Sequence, residues 1–142
     1  MLLHQHQRVP NVAGVLPLSL AQEGLWFFEQ ATPGTSTYNL AEAWWLEGPL
    51  DVGRLRRSLD ELVCRHEILR TAIGDKNGKP CQIVFPPKPF PLVVADLRSQ
   101  VKASSEAEKL AWLDARKTFD LTQEPLARCN LFGSATSDLC SR

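Results

Sequence analysis

Apolar positions recur with a helical period at Leu55, Leu59, Leu62, Val63 and His66, one stripe of i, i+4, i+7, i+8 and i+11 spacing. The stripe predicts an amphipathic helix capped by Asp51 and running to about Arg65. Arg56 with Asp60 and Arg57 with Glu61 fall on its wet side, where each base-before-acid pair adds at most about 0.3 kcal/mol. An earlier helix starts at Ser19, whose hydroxyl caps the free amides of the first turn while Gln22 completes a capping box. Leu20, Leu25, Trp26 and Phe28 give that helix apolar surface, and Gly24 inside it costs about 1 kcal/mol relative to alanine. Ser105 with Glu108 predicts a second capping box, opening a helix that buries Leu110, Leu113 and Trp112.

Strand patterns fill the intervals. Leu40 to Leu46 carries large apolar groups on both faces, which predicts a strand covered on both sides. Ile68–Ile73 and Pro80–Phe85 read as a hairpin, with Asn77-Gly78 supplying the positive backbone angles of a tight turn. Phe85-Pro86-Pro87-Lys88-Pro89-Phe90-Pro91 is a stiff extended connector. Its P-x-x-P match, Pro86 to Pro89, reads as a surface link rather than a ligand for an aromatic groove. Leu92–Ala95 and, after the break at Pro125, Leu126–Phe132 complete the strands. Residues 1–15 read as a disordered lead, and 133–142 as an irregular tail with no period of either kind. The expected fold is a mixed α/β (α+β) sandwich, with helices packed on a mixed, largely antiparallel sheet.

Composition narrows the function classes. The 142 residues make about one small domain, able to bury roughly 70% of its unfolded surface. Sixteen basic residues balance sixteen acidic ones, so no basic field gathers nucleic acid or anionic lipid, and neither is expected as a partner. The four cysteines, Cys64, Cys81, Cys129 and Cys140, form no C-x-x-C pair, and His4 with His6 alone make a poor metal site. No metal or cofactor of the chain's own is expected. The N-terminal stretch lacks the continuous apolar core of a secretory signal, and no run reaches membrane-spanning length, so a cytoplasmic protein with reduced thiols is expected.

Two stretches carry chemical information. Ser19-Leu20-Ala21-Gln22 with Leu25-Trp26, and Arg65-His66-Glu67-Ile68-Leu69-Arg70-Thr71, resemble the first two signature motifs of condensation domains of nonribosomal peptide synthetases, roughly S-x-A-Q-x-R-L-W and R-H-E-x-L-R-T-x-F. Tyr38-Asn39, Phe119-Asp120-Leu121 and Pro125-Leu126-Ala127-Arg128 follow in family order, so the resemblance covers residues 16–132. Gly24 stands where the first motif has arginine, and Ile73 where the second has phenylalanine. The resemblance implies a partial chloramphenicol-acetyltransferase-like lobe. It also implies a parent that forms amides between thioesters on phosphopantetheine arms of carrier domains and acceptor amines. Ser19, Gln22, Trp26, Arg65, His66, Glu67 and Arg70 are the motif residues, and their implied role is structural. Arg65 and Arg70 are expected to anchor carboxylates of neighbouring elements.

The family's H-H-x-x-x-D-G motif, credited with positioning or deprotonating the amine, does not occur in the 142 residues, whose histidines are His4, His6 and His66. His66 is expected to pack at a helix end beside Arg65 and Glu67, and Cys64 to be buried beside the stripe; neither is expected to be catalytic. The chain alone is therefore expected to be inactive, an N-terminal piece of a condensation domain working with carrier domains and the rest of a synthetase. The alternatives are a noncatalytic carrier-docking or scaffolding module, and part of another acyltransferase completed by a partner chain. An unpaired edge on the Leu126–Phe132 strand is further expected to leave the isolated polypeptide marginally stable or self-associating.

Overall fold

Two sheets and three α-helices organise the described residues. The computed structural model describes residues 13–123, 125–133 and, along the backbone, 138–141. Residues 1–12 of the expected lead, with His4 and His6, lie outside the described residues, as do 134–137 of the expected tail and Arg142. A three-stranded antiparallel sheet has the order β1-β4-β3, with β1 Gly14–Pro17, β3 Thr71–Lys76 and β4 Lys79–Val84. A four-stranded sheet has the order β2-β7-β6-β5, with β2 Ala43–Leu46, β5 Leu92–Asp96, β6 Cys129–Gly133 and β7 Asp138–Ser141. Only its β5–β6 pair is parallel, joined through a helical crossover. The mixed, largely antiparallel sheet and its packed helices are those expected.

Helix α1 spans Leu20–Ala31, and Ser19 caps it as its chemistry dictates. The Gln22 N–H donates to Ser19 Oγ at 3.3 Å, and the Ser19 N–H donates to Gln22 Oε1 at 2.8 Å. Helix α2 spans Val52–Arg65, with Asp51 Oδ1 accepting from the Arg54 N–H at 2.9 Å. Its stripe lands where the period puts it: Val63 is buried with Phe90, Leu92, Cys129 and Leu131, and Leu55 and Leu59 pack against them. Leu62 and His66, at the margin of the stripe, stay exposed. The wet-side partners also differ. Glu61 pairs with Arg65 at 2.7 Å, and Asp60 Oδ1 takes the Phe90 N–H at 2.8 Å.

Four expectations fail, each for a physical reason. Helix α3 spans Ala103–Ala115, with Lys102 at its cap and no side-chain cap bond, so Ser105 and Glu108 lie inside it. Its buried face is the small-residue stripe Ala103, Ala107, Leu110 and Ala111, packed on Ala95, Leu97 and Phe132. Trp112 and Leu113 are exposed, Trp112 instead lying under the Arg116 guanidinium at 4.8 Å. Second, residues 67–70 form a 3-10 turn, so β3 begins at Thr71 rather than Ile68. The Leu69 N–H donates to His66 O at 3.0 Å and Thr71 Oγ1 donates to Glu67 O at 2.7 Å, which holds this segment out of the ladder. The hairpin turn itself is as expected, with φ of 58° at Asn77 and 78° at Gly78.

Third, the lead and the tail contribute strands. Gly14 and Val15 pair with Val84 and Ile83, and Pro17 is tolerated because β1 is an edge strand. Asp138–Ser141 becomes β7, between β2 and β6. A four-residue strand shows two residues to each face, too few for a period to register. β6 is therefore paired on both sides, which overturns the expected unpaired edge; among the described residues the edge strands of this sheet are β2 and β5. Fourth, β2 starts at Ala43, and its large side chains are open rather than covered: Trp44 is 60% and Trp45 43% exposed.

Candidate functional site

The motif residues fall at the start of α1, where Ser19 and Gln22 form its cap and Trp26 follows, and around the end of α2. Around the end of α2, the buried Arg70 guanidinium reaches three ways. Nη1 donates to Phe85 O at 2.5 Å, Nε donates to Val63 O at 3.3 Å, and Nη2 pairs with Glu67 Oε1 at 3.2 Å. The Phe85 N–H returns to Arg70 O at 2.9 Å. Arg70 thus ties the α2 terminus to the proline-rich connector mainly through carbonyls, where a carboxylate from a neighbouring element was expected. Arg65 pairs with Glu61 of its own helix on the exposed surface. His66 closes α2 through its backbone N–H, which donates to Leu62 O at 2.9 Å, but its imidazole is exposed rather than packed. Cys64 is likewise exposed, where burial was expected; Cys81 and Cys129 are buried. Burial, with the Asp75 charge adding to it, pushes the Cys81 thiol above its ordinary value, against a smaller lowering effect of Lys76.

Apart from these residues, a groove of about 580 Å³ lies between α1, residues 35–42, the end of α3 and residues 119–128. Leu25, Phe28, Tyr38, Leu40, Phe119 and Leu121 line its apolar walls, with Phe28 and Tyr38 edge to face at 4.9 Å. Trp26, half-buried on α1, does not line the groove and meets Phe27 edge-on at 5.2 Å. The groove has a polar floor that no sequence pattern announces. Helix α3 ends with no basic residue in its last turn, so its free carbonyls need outside donors. Arg128 Nη2 donates to Asp114 O at 3.1 Å and Lys117 O at 2.7 Å, and Nη1 to Thr118 O at 3.2 Å. Asn39 Nδ2 donates to Ala115 O at 2.9 Å and Lys117 O at 2.8 Å.

The same guanidinium lies 3.9 Å over the Phe119 ring and 3.6 Å from Asp114 Oδ2. Asp114, buried, also accepts from Asn130 Nδ2 at 2.7 Å and pairs with Lys117 at 2.9 Å. A cation and an amide at a helix C-terminus satisfy both its orphan acceptors and its dipole. Asn39 and Arg128 were visible in the sequence only as members of family fragments. No local pattern shows that residues 76 and 14 positions away in the chain would meet one helix end.

These groups are spent on structure. Among the described residues no cluster of three His, Cys, Asp or Glu side chains is placed to hold a metal ion. His66, the one histidine among the described residues, does not line the groove. What the described residues build is a walled apolar groove on a rigid polar floor, and a pinned α2 terminus.

Comparison with known proteins agrees with this geometry. The family model of the condensation domain matches residues 12–141. One of the linear gramicidin synthase polypeptides of Brevibacillus parabrevis is 41% identical over 129 residues, which are 89% of this chain and 2% of that protein. Chondramide synthase cmdD of Chondromyces crocatus is 40% identical over 121 residues, 84% of this chain and 3% of that one. The solved starter condensation domain of rhizomide synthetase RzmA superposes with a TM-score of 0.82 over 91% of this chain and 32% of that chain. At 23% identity that likeness bears on fold alone. The chain therefore spans about a third of the solved domain and a few per cent of the curated synthases, and it belongs to the condensation-domain family.

Proposed function

We propose that this chain is the N-terminal part of a condensation domain in a nonribosomal peptide synthetase, and that the whole domain joins a carrier-bound acyl group to an amine. The observation that carries the reading is the family match over residues 12–141, in a chain similar to synthases of linear gramicidin and chondramide. In that reaction the amine nitrogen attacks the thioester carbonyl, a C–N bond forms, the tetrahedral oxyanion collapses, and the C–S bond breaks to release the thiol. The nitrogen's proton needs a base, and the oxyanion needs donors. The donors on the groove floor already serve α3, and the described histidine is exposed at the far end of α2. We therefore assign both tasks to residues outside this chain.

The reading gives the chain carrier domains with phosphopantetheine arms as partners, along with the remainder of the synthetase, and no cofactor of its own. No helix among the described residues is long and apolar enough to cross a membrane, and the balanced charge supports neither nucleic acid nor a lipid surface as a partner. We place the protein in the cytoplasm with its synthetase.

A reconstitution assay with loaded donor and acceptor carrier domains tests the proposal. The expected result is no amide from the 142-residue chain alone and amide once the remainder of a condensation domain is added. Turnover by the chain alone overturns the assignment of the chemistry to residues outside it.

A further inference from the structure

We propose that α1 is a self-association face, through which two copies of this chain pair by antiparallel packing of their α1 helices. Leu20, Gly24, Phe27 and Ala31 follow one another along α1 at steps of four, three and four, the spacing of a coiled-coil seam. All four are exposed, Leu20 at 88% and Phe27 at 63%, and no residue of α1 is fully buried. The stripe is separate from the groove, which α1 lines through Leu25, Phe28 and Glu29. It carries no charge. The acids of α1 are Glu23, beside the stripe, and Glu29, whose carboxylate accepts the Gly34 N–H at 2.9 Å.

Gly24 marks this face as one that another backbone approaches. Inside a helix glycine costs about 1 kcal/mol relative to alanine. Nothing in the chain's own fold requires it here. Its φ lies outside the positive region that favours glycine, and a Cβ built on it would meet nothing within 4 Å. Neither backbone strain nor a close neighbour in the same chain therefore selects glycine over the arginine of the family motif. A helix laid against this position from outside does, because small side chains let two helix axes close to about 8 Å.

The occupant follows from the order of large and small residues, which runs large, small, large, small. Set antiparallel against itself, the seam places Leu20 opposite the partner's Ala31 and Phe27 opposite the partner's Gly24. The two-fold axis repeats both contacts, so each large side chain enters a gap left by a small one. A foreign helix would need the same alternation in reverse; a second copy supplies it by symmetry. The capping box at Ser19 and Gln22 holds α1 formed before pairing, so association does not have to order it. One short seam buries less than the ~1,200 Å² of a standard interface, so the pair is reversible and depends on protein concentration.

Sedimentation equilibrium of the 142-residue chain over a wide concentration range tests the pairing. A monomer–dimer equilibrium is expected. Gly24→Arg and Phe27→Glu should each raise its dissociation constant at least tenfold, with unchanged circular dichroism. Gly24→Ala separates pairing from folding: it should raise the melting temperature of the dilute chain through helix propensity, yet weaken the dimer at least threefold. Gly24→Leu combined with Phe27→Ala moves the large residue to the other side of the same contact, and should restore the pairing that Gly24→Leu alone loses. Trp44→Glu, at an exposed position of β2, should pair like the parent chain. A monomer at every concentration, pairing that survives Gly24→Arg and Phe27→Glu, or a dimer broken by Trp44→Glu instead overturns the proposal. So does a carrier domain, or the rest of a condensation domain, that binds Leu20 and Phe27 of a chain found only as a monomer.

Discussion

Arg70 shows how far a single charge can be read from sequence. Its place in the second motif marked it as structural, but its acceptors were set by folding: the Phe85 carbonyl arrives through a hairpin fifteen residues on. Arg70→Ala strands the Val63 and Phe85 carbonyls in a buried site and should cost about 2–4 kcal/mol in urea unfolding. Arg70→Lys should recover only part of that, because one ammonium lacks the fork that reaches three divergent acceptors. Cys81 supplies a pH dependence. Its thiol titrates above the ordinary 9.0 when folded, so burial favours the protonated form and its stabilising contribution is complete below that value. As the pH climbs above 9.0 the unfolded thiol ionises first and that contribution is lost through the folded value. The urea midpoint of the parent chain should therefore fall more steeply in alkali than that of Cys81→Ala.

At the scale of elements, caps and turns were legible wherever the chemistry is local. Ser19 with Gln22, Asp51, and Asn77 with Gly78 each act within three residues, and each is found in place. The reading of α3 failed because two signals competed there. A capping box at Ser105 and Glu108 argued for a late start, while the small residues Ala103, Ala107 and Ala111 form the face that the sheet selects. Close packing rewards small side chains, which carry little hydrophobic weight in a pattern. The hairpin offers a sharper test of packing. A Cβ on Gly74 would stand 2.2 Å from Ile83 Cδ1, so Gly74→Ala in β3 should destabilise the chain by about 1–3 kcal/mol. Adding Ile83→Ala should return part of that loss relative to Ile83→Ala alone, as a double-mutant cycle of thermal melts would register.

For the whole molecule, the surface is as informative as the core. Leu40 is 95% and Ile68 61% exposed alongside the open side chains of Trp44 and Trp45, apolar surface that the described residues leave in water. The chain should therefore enhance the fluorescence of an apolar dye such as anilinonaphthalene sulfonate while still folded, and addition of the remaining domain should suppress it. Absence of dye binding would count against an incomplete lobe. By itself the sequence determined the family, two helix starts, the hairpin and the α2 stripe, because these depend on contacts within a turn or two of the chain. Only the tertiary structure decided that Asp138–Ser141 is a central strand, that Asn39 and Arg128 close α3, and which face of β2 stands open. Those outcomes turn on distant segments meeting across a sheet, where two residues per face carry no period and the partner that selects them lies elsewhere in the chain.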